Sequence, residues 1–245
     1  MVFEIRTYAQ TASTNDDAAA LLGMPEHAGA VIVADFQSNG RGRHARPWIA
    51  PPGSSLLFTT LLPQPIATDA LWAVTLWTGL CVADGIEAAT GIRVGLQWPN
   101  DLLIEGRKCA GILCISRVAG SIASVGCGTG INVIRPDATP ELDAIVPAPA
   151  FLSDSVVEIT RDRLLAAILA AYERRLGELE MPSAIARAWE IRAGLLGTRY
   201  RLHFDGEAEP FEALARRIAP DGSLVVDDLR GGERVVGLAD ARVLR

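Results

Sequence analysis

The feature that most constrains this chain is a basic, glycine-containing segment that directly follows a short apolar run. Residues 31–34 are Val-Ile-Val-Ala, and residues 35–48 continue as DFQSNGRGRHARPW. A β-branched apolar run that breaks into glycine and arginine predicts a buried strand leading into a mobile loop. Glycine lets a backbone approach a ligand closely, and arginine forks suit phosphate or carboxylate. The segment favours a nucleotide or an activated anion as ligand; a solvated charge cluster and an RNA-binding arm are the alternatives.

Composition and charge narrow these alternatives. The chain has 245 residues, of which 49% are hydrophobic and 21% charged, and its net charge is −6. It is long enough for one large domain and a small one. Because nucleic-acid binding needs a basic face, we expect a small anionic ligand and no nucleic-acid partner. We also expect no membrane partner and a cytoplasmic protein, since no signal peptide opens the chain and no uncharged apolar run reaches the roughly 18 residues of a span. Reduced, buried thiols are expected at Cys81, Cys109, Cys114 and Cys127, which form no CxxC pair.

Hydrophobic periodicity predicts an α+β fold in two parts, with a boundary between residues 194 and 195. In the first part, strands are predicted at 3–7, 31–36, 55–62, 94–98, 102–104, 109–116 and 121–133, with a hairpin turn at 105–107. Helices are predicted at 15–22, 69–89, 161–179 and from 182 to about 192. The second part has short strand patterns typical of a small SH3-like β-barrel, at 199–204, 212–218, 223–227 and 235–238, with a turn at 220–222.

Three further motifs accompany the basic segment. Ser13-Thr14-Asn15-Asp16 precedes it, and two motifs follow it: 98–102 (WPNDL) together with 106–113 (GRKCAGIL), and 126–133 (GCGTGINV). This ordered set resembles the biotin–protein ligase family, whose members attach biotin to a lysine of carrier proteins. The resemblance extends from about residue 13 to residue 133 and continues more weakly to the C-terminus. Four motifs in one order are far more specific than any one of them.

The resemblance implies a fold and a domain organisation. Residues 1–194 would form the biotin- and ATP-binding catalytic domain, a mixed β-sheet with helices on one side, of the class II synthetase and biotin–lipoate ligase type. Residues 195–245 would form the SH3-like C-terminal domain. Since the motifs begin at Ser13, they leave no room ahead of them for a helix-turn-helix module. The resemblance is therefore to the short class that lacks a DNA-binding domain.

The resemblance also implies a reaction in two steps. Biotin is adenylated by ATP to biotinyl-5′-AMP, and a lysine of the biotin carboxyl carrier domain of acetyl-CoA carboxylase or a related carboxylase then displaces AMP. Mg²⁺ is implied by the ATP chemistry, without an evident ligand cluster, and the oligomeric state is not predicted. Both steps gather negative charge near one phosphate, so they need cations and aligned N–H donors more than a protein nucleophile.

The resemblance assigns roles to the basic residues. Lys108 would be the catalytic lysine that contacts the biotin carboxylate and the α-phosphate, although without the flanking motifs a solvated turn lysine would be expected there. Arg43 would retain the adenylate, and Arg41 and Arg46 would bind it with Arg43. Arg41 also belongs to the predicted biotin site. Trp48 would pack against adenine, or alternatively in the core.

The remaining site residues are mostly uncharged. Ser13, Thr14 and Gln37 would bind the ureido ring of biotin, whose N–H donors and carbonyl match hydroxyl and amide groups. Helix capping is the alternative role for Ser13 and Thr14. Two glycines would lie close to the apolar part of biotin, or else allow a bulge or tight packing: Gly111 and Gly128. The nucleotide side would include Asn100, Asp101 and Asn132, and support from Asn15 is expected for the nucleotide or the loop.

Four positions depart from the family pattern. His44, Ala45 and Pro47 stand where Arg, Gly and a basic or polar residue are usual, and the last two are expected to stiffen the loop. Gln97 stands where many relatives have lysine, which predicts one cation fewer beside the phosphates. The rival reading is a lipoate–protein ligase on the related fold. A catalytically silent biotin-binding protein would be expected to lack Lys108 or the arginines, and both are present.

Overall fold

A large mixed β-sheet forms the first part of the molecule. The structure is a computed structural model that describes residues 3–137, 139–156, 158–204, 207, 209–238 and 241–244. The strands of the first sheet are β1 (Glu4–Thr11), β2 (Ala30–Gln37), β3 (Ser55–Leu61), β4 (Ile66–Ala67), β5 (Gly95–Gln97), β6 (Asp101–Ile104), β7 (Arg107–Ala119) and β8 (Ile122–Asn132). Their order is β1-β2-β3-β8-β7-β6-β5, and β4 pairs with β8. Only β1 and β2 pair in parallel, so the sheet is mixed.

Helices cover both faces of this sheet. They are α1 (Thr14–Leu21), α2 (Leu71–Thr90), α3 (Pro140–Asp143), α4 (Arg161–Arg175) and α5 (Pro182–Ala193). The buried helix α2 packs against α4, α5 and the centre of the sheet, whereas α1 lies on the opposite face. Strand alternation sends neighbouring side chains to opposite faces, so Phe58 joins the α2 core while Leu57 faces the α1 side. No helix in the described part of the chain has the length and hydrophobicity of a membrane span.

A second, antiparallel sheet follows α5. Its strands are β9 (Arg199–Phe204), β10 (Phe211–Ile218), β11 (Leu224–Asp228), β12 (Glu233–Val236) and β13 (Ala241–Leu244), in the order β12-β11-β10-β9-β13. It meets the first part around Trp98, which is buried. The backbone N–H of Trp98 donates to the Tyr200 hydroxyl (3.2 Å), and its indole N–H donates to the Gly222 carbonyl (3.1 Å). Burial raises the pKa of Tyr200 to about 12.

The predicted α+β fold class is confirmed, with differences in detail. The first strand extends to Thr11 because it pairs with β2 along its whole length, and α1 lies on the face where no helix was expected. The predicted helix 161–179 is α-helical only to Arg175 and continues as a 3₁₀ helix. The turn between β6 and β7 has two residues, Glu105 and Gly106, and both have positive φ as a type I′ turn requires.

Other differences concern the end of the chain and its thiols. The last predicted strand, 235–238, lies at 233–236, and β4, α3 and β13 were not predicted. The four cysteines are free, as predicted, but only Cys81, Cys109 and Cys127 are buried, whereas Cys114 is partly exposed. Burial raises the pKa of the Cys109 thiol to about 12. The boundary between domains 1–194 and 195–245 stays a prediction, and the outermost residues of these ranges (1, 2 and 245) lie outside the described residues.

Candidate active site

One cavity of about 620 Å³ lies on the α1 face of the large sheet. The start of α1, the loop after β2, the middle of β7 and β8, the segment 142–149 and two strands of the second sheet line it. Every predicted site residue is in this lining: Ser13, Thr14, Gln37, Arg41, Arg43, Arg46, Trp48, Asn100, Asp101, Lys108, Gly111, Gly128 and Asn132. Residues far apart in the sequence are thus brought together, while their individual roles remain predictions.

An uncharged hydrogen-bond network forms one end of the cavity. The Gln37 side-chain carbonyl accepts from the backbone N–H of Thr14 (2.7 Å) and from its hydroxyl (3.0 Å). The Thr59 hydroxyl lies 2.9 Å from Thr14 Oγ1 and 2.8 Å from Asn15 Oδ1. The Asn15 amide donates to the Leu113 carbonyl (3.0 Å), so this residue is tied to the sheet rather than to the basic loop. The network fixes a polar surface that can match a neutral ligand group.

The alternative role of Ser13 and Thr14 as helix caps is not what the structure shows. Ser13 occupies the N-cap position of α1, but its side chain makes no capping hydrogen bond. Thr14 is the first residue of the helix, and its hydroxyl is directed to Gln37 instead. Both residues are buried at the polar end of the cavity.

Lys108 and Asp101 form an ion pair at the centre of the site. Lys108 lies on β7 and Asp101 on the neighbouring strand β6, and Nζ is 2.5 Å from Oδ1. Only 27% of the lysine side chain and 16% of the aspartate side chain are exposed. The ammonium also lies 5.3 Å from the centre of the Trp48 ring, a cation–π distance. Lys108 is therefore a confined cation, and the alternative of a solvated turn lysine is wrong.

Two glycines form a platform under Trp48. Gly111 and Gly130 are paired across β7 and β8. A Cβ on Gly130 would lie 2.7 Å from Cε2 of Trp48, and one on Gly111 would lie 3.1 Å from its Cζ3 and 3.0 Å from Lys108 Nζ. The indole is half-buried and lines the cavity rather than the core, and its N–H has no hydrogen-bond partner among the described residues.

Gly128 has a similar function beside Asn15. A Cβ at this position would overlap the Asn15 amide, which makes the hydrogen bonds to Thr59 and Leu113. The room that Gly111 and Gly128 leave is thus filled by side chains of this chain. In the structure, Gly111 leaves room for Lys108 and Trp48, and Gly128 leaves room for Asn15. These contacts define the role of the two glycines more narrowly than the expected close approach of the backbone to a ligand.

The loop arginines have distinct surroundings. Arg41 forms an ion pair with Asp16 of α1. The Arg43 guanidinium donates to the carbonyl of Leu238, beyond β12, and its burial lowers the pKa of the side chain. Arg46 is exposed and makes no ion pair within the described part of the chain. The loop is therefore attached at one end to α1 and at the other to the second part of the molecule.

Two of the residues that depart from the family pattern lie at the tip of the loop and adopt a left-handed backbone conformation. His44 has φ 54° and Ala45 has φ 55°. Side chains with a Cβ are strained there, which explains why glycine is usual at the second position. Ala45 therefore introduces local backbone strain, and its expected stiffening of the loop stays a prediction.

The amide side chains on the predicted nucleotide side support the cavity walls. The Asn100 amide donates to the Ile112 carbonyl (2.7 Å), and the Asn132 amide donates to the Ala150 carbonyl (3.1 Å). Gln97 lies on β5 and does not line the cavity. The expectation of one cation fewer beside the phosphates stays a prediction, with a hydrogen bond from Gln97 or a weaker affinity for the nucleotide as its two possible consequences.

Two parts of the lining were not predicted from the sequence. The segment after β8 contributes apolar residues, among them Val146, of which 88% is exposed. Apolar residues within this proline-rich stretch were a usable signal. The second sheet contributes Arg201, Val243 and Leu244, and no local pattern indicated this. Besides His44, the charged residues of the lining are five cations and one carboxylate: Arg41, Arg43, Arg46, Lys108, Arg201 and Asp101. In a chain of net charge −6, this cavity is strongly cationic and suits an anion.

Comparison with known proteins agrees with this fold and site. Residues 8–132, about half of the chain, match the model of the biotin/lipoate A/B protein ligase family. The chain therefore belongs to this family. It is 30% identical over 243 residues to the biotin–[acetyl-CoA-carboxylase] ligase of Mycobacterium tuberculosis, a match that covers 95% of this chain and 86% of that protein.

Two further similarities bear on length and fold. The chain is 32% identical over 213 residues to the bifunctional ligase/repressor BirA of Bacillus spizizenii, covering 84% of this chain but only 64% of that protein. The chain thus spans less than two thirds of that relative. The solved structure of biotin protein ligase from Aquifex aeolicus in complex with biotin and ATP is 22% identical, with a TM-score of 0.76 and 99% of each chain covered. At this identity the likeness establishes the fold.

Proposed function

We propose that this chain is a biotin–protein ligase. In the first step, a biotin carboxylate oxygen attacks the α-phosphorus of ATP, the bond to the β-phosphate oxygen breaks, and pyrophosphate leaves. In the second step, a lysine amine of a carrier domain attacks the acyl carbon of biotinyl-5′-AMP. A C–N bond forms, the C–O bond to phosphate breaks, AMP leaves with the electron pair, and a proton passes to solvent.

The observation that carries this proposal is the position of Lys108. It lines the same cavity as the uncharged network of Thr14 and Gln37 and the arginines of the loop. The hydroxyl and amide groups match the ureido ring of biotin, and the arginines match the phosphates. A cation in the same cavity can contact the carboxylate and the α-phosphate where they meet. A lysine held by Asp101 there can neutralise the charge that gathers in both steps.

The loop arginines would retain the adenylate. Arg43 and Arg46 line the cavity on the side of the second sheet, where they can bind phosphate oxygens. The half-buried Trp48 offers a flat face that adenine can contact, and Asn132 supports the same wall. Exclusion of water from this part of the cavity would protect the mixed anhydride from hydrolysis.

ATP would bring Mg²⁺ as its phosphate complex. The described residues contain no group of three side chains that could hold a metal ion, and Asp101 is the carboxylate that lines the cavity. Mg²⁺ commonly binds substrate phosphates with one or two protein carboxylates, so this lining fits such an ion. The metal would add positive charge at the phosphates.

The proposed protein partner is the biotin carboxyl carrier domain of acetyl-CoA carboxylase or a related carboxylase. A relative that matches 95% of this chain is a biotin–[acetyl-CoA-carboxylase] ligase, which favours biotin over lipoate. We further propose a cytoplasmic location, which the four free thiols support because disulfides persist in oxidising compartments.

The test is the intact mass of a biotin carrier domain after incubation with this protein, Mg-ATP and biotin, with lipoate in a parallel reaction. We expect a mass gain that matches biotin and disappears with Lys108→Ala. The matched control is Arg117→Ala, a basic residue of the same strand that does not line the cavity. A lipoyl gain would move the assignment to lipoate ligation, and no gain in either reaction would refute it.

A further inference from the structure

Two cysteines face each other on the central strands of the large sheet. Cys114 of β7 and Cys127 of β8 are partners in the antiparallel register, and neither lines the cavity. Directly opposed residues of antiparallel strands have Cα atoms about 4.5–5.5 Å apart. A disulfide spans Cα distances of about 4.4–6.8 Å. The two thiols can therefore be joined with little movement of the backbone.

The surroundings of Cys114 favour reaction at its sulfur. Cys114 is partly exposed, whereas Cys127 is buried. The Thr78 hydroxyl of α2 lies 4.0 Å from Cys114 Sγ. A hydrogen bond from the Cys127 thiol lowers the pKa of the Cys114 thiol against the opposing effect of burial, and the Thr75 and Thr78 hydroxyls lower it further. An accessible thiol of this kind beside a second cysteine is typical of residues that peroxides oxidise reversibly.

The neighbouring residue pair on the same strands belongs to the cavity. Leu113 is paired with Gly128, one position along from the two cysteines. The Leu113 carbonyl accepts a hydrogen bond from the Asn15 amide (3.0 Å), and a Cβ at Gly128 would overlap that amide. Asn15 thus fits closely against the backbone of both strands. A small change in the separation or twist of the strands at this point must move Asn15, and with it the polar end of the cavity.

We propose that Cys114 and Cys127 are a reversible redox pair, in which oxidation by a peroxide closes a disulfide and disturbs the polar end of the cavity through Asn15. The effect on ligand binding rests on the proposed function, in which this end receives the ureido ring of biotin. Disulfides of cytosolic proteins are commonly transient and redox-sensing, so such a pair agrees with the proposed location. Oxidation would thus slow biotin transfer without any change in the residues that line the cavity.

The chemistry balances with one molecule of hydrogen peroxide. Cys114 Sγ attacks one peroxide oxygen, an S–O bond forms, the O–O bond breaks, and the departing oxygen leaves as water with the thiol proton. Cys127 Sγ then attacks Cys114 Sγ, an S–S bond forms, the S–O bond breaks, and a second water leaves with the Cys127 proton. Each sulfur loses one electron, and the peroxide gains two. A dithiol reductant reverses the step by thiol–disulfide exchange.

The test treats the full chain with hydrogen peroxide and maps its cysteines by mass spectrometry without reduction. We expect a loss of two hydrogen atoms and a cross-linked peptide between Cys114 and Cys127, which dithiothreitol removes. Cys127→Ala and, as an independent variant, Cys114→Ser should each abolish the cross-link. The matched control is Cys109→Ala, because this buried thiol of β7 donates to the Leu102 carbonyl and is not needed for the bridge. A cross-link through Cys81, or oxidation of Cys114 without a bridge, would overturn the proposal.

Calorimetric titration of biotin into the reduced and the oxidised protein measures the consequence for the site. We expect the dissociation constant to rise about three- to tenfold on oxidation, the effect of weakening one hydrogen bond, and to return on reduction. Peroxide should leave the dissociation constant of Cys127→Ala unchanged. An unchanged constant in wild type that carries the disulfide would overturn the proposed coupling to Asn15. If reduced wild type does not bind biotin, the proposed function fails, and the peptide map still decides whether the redox pair exists.

Discussion

Gly130→Ala offers a test of the platform that seats Trp48. The new Cβ would stand 2.7 Å from Cε2 of the indole and 3.0 Å from Cζ2 and Nε1. Carbon atoms in ordinary contact are about 3.5 Å apart or more, so the ring must retreat by about 0.8 Å. Backbone movement cannot relieve the overlap easily, because Gly130 is paired with Leu57 on one side and Gly111 on the other.

The expected cost follows from this displacement. Overpacking of a fitted site costs about 1–3 kcal/mol. If the overlap destabilises the active position of Trp48 and its loop by this energy, the rate of biotin transfer falls by about 5- to 150-fold. A misplacement of about 1 Å near reacting groups has an effect of similar size. We therefore expect kcat/KM for carrier biotinylation to fall between tenfold and a hundredfold, about 1.4–2.7 kcal/mol.

A double-mutant cycle identifies the ring as the cause. Trp48→Ala removes the atoms that the new methyl group would meet, so Gly130→Ala should cost little in that background. The coupling energy should be about 1–3 kcal/mol. Gly95→Ala is the matched control, since its Cβ would lie 3.8 Å from the nearest non-neighbouring atom, the Leu103 carbonyl oxygen, in a strand outside the cavity. Full activity of Gly130→Ala would refute the reasoning. So would a double mutant whose loss of activation free energy equals the sum of the losses in the two single mutants.

Three further perturbations test local features of the fold. Ala45→Gly should raise the free energy of unfolding by up to about 1 kcal/mol, because it relieves a left-handed alanine. Gly85→Ala should lower it by about 1–2 kcal/mol in urea unfolding, because the Cβ would lie 2.6 Å from Cα of Ile168 and force α2 away from α4. A hydrogen bond from Arg230 lowers the pKa of Asp228 to about 2. The contribution of the ionised Asp228 to the free energy of unfolding should therefore be complete above about pH 4 and lost as the pH falls through 2. Asp228→Asn should lose this pH dependence in urea titrations.

Each of these has a control and an outcome that would contradict it. The control is Ala67→Gly, at an exposed alanine with φ −58°, which should not stabilise the protein. If Ala45→Gly and Ala67→Gly changed the free energy of unfolding equally, backbone strain at Ala45 would not be the explanation. Gly177→Ala, whose Cβ would meet open space, should leave unfolding nearly unchanged. For Asp228, parallel stability curves of wild type and Asp228→Asn between pH 6 and 2 would show that the carboxylate contributes nothing.

The sequence predicted the strands and helices well because the pattern is local. Apolar runs such as 55–62 and 121–133 identified the central strands within a residue or two, and an apolar helix at 69–89 was correctly expected to be buried. Strand β13 carried no such pattern, and its partner β9 is distant in the chain. The residues of the cavity were found through the resemblance of four motifs to a known family, not through periodicity.

Contacts within the site depended on register and could not be predicted. Whether Lys108 meets Asp101 is decided by the pairing of β6 with β7, and whether Gly130 lies under Trp48 is decided by the path of a loop. The contribution of Arg201 depends on how the two sheets pack together. The resemblance to the family therefore indicated which residues take part, and the tertiary structure determined what each one touches.

The burial of Trp98 couples the unfolding of the second sheet to that of the first part of the molecule. Its indole is buried between the two parts and donates a hydrogen bond to the Gly222 carbonyl, and its backbone N–H donates a hydrogen bond to the Tyr200 hydroxyl. Loss of the second sheet would expose a large aromatic surface two residues ahead of Asn100 and three ahead of Asp101. A substitution at Tyr200 or Gly222, neither of which lines the cavity, would thus disturb the ion pair of Asp101 with Lys108 through the chain. Activity and global stability are expected to decline together on heating, in one transition.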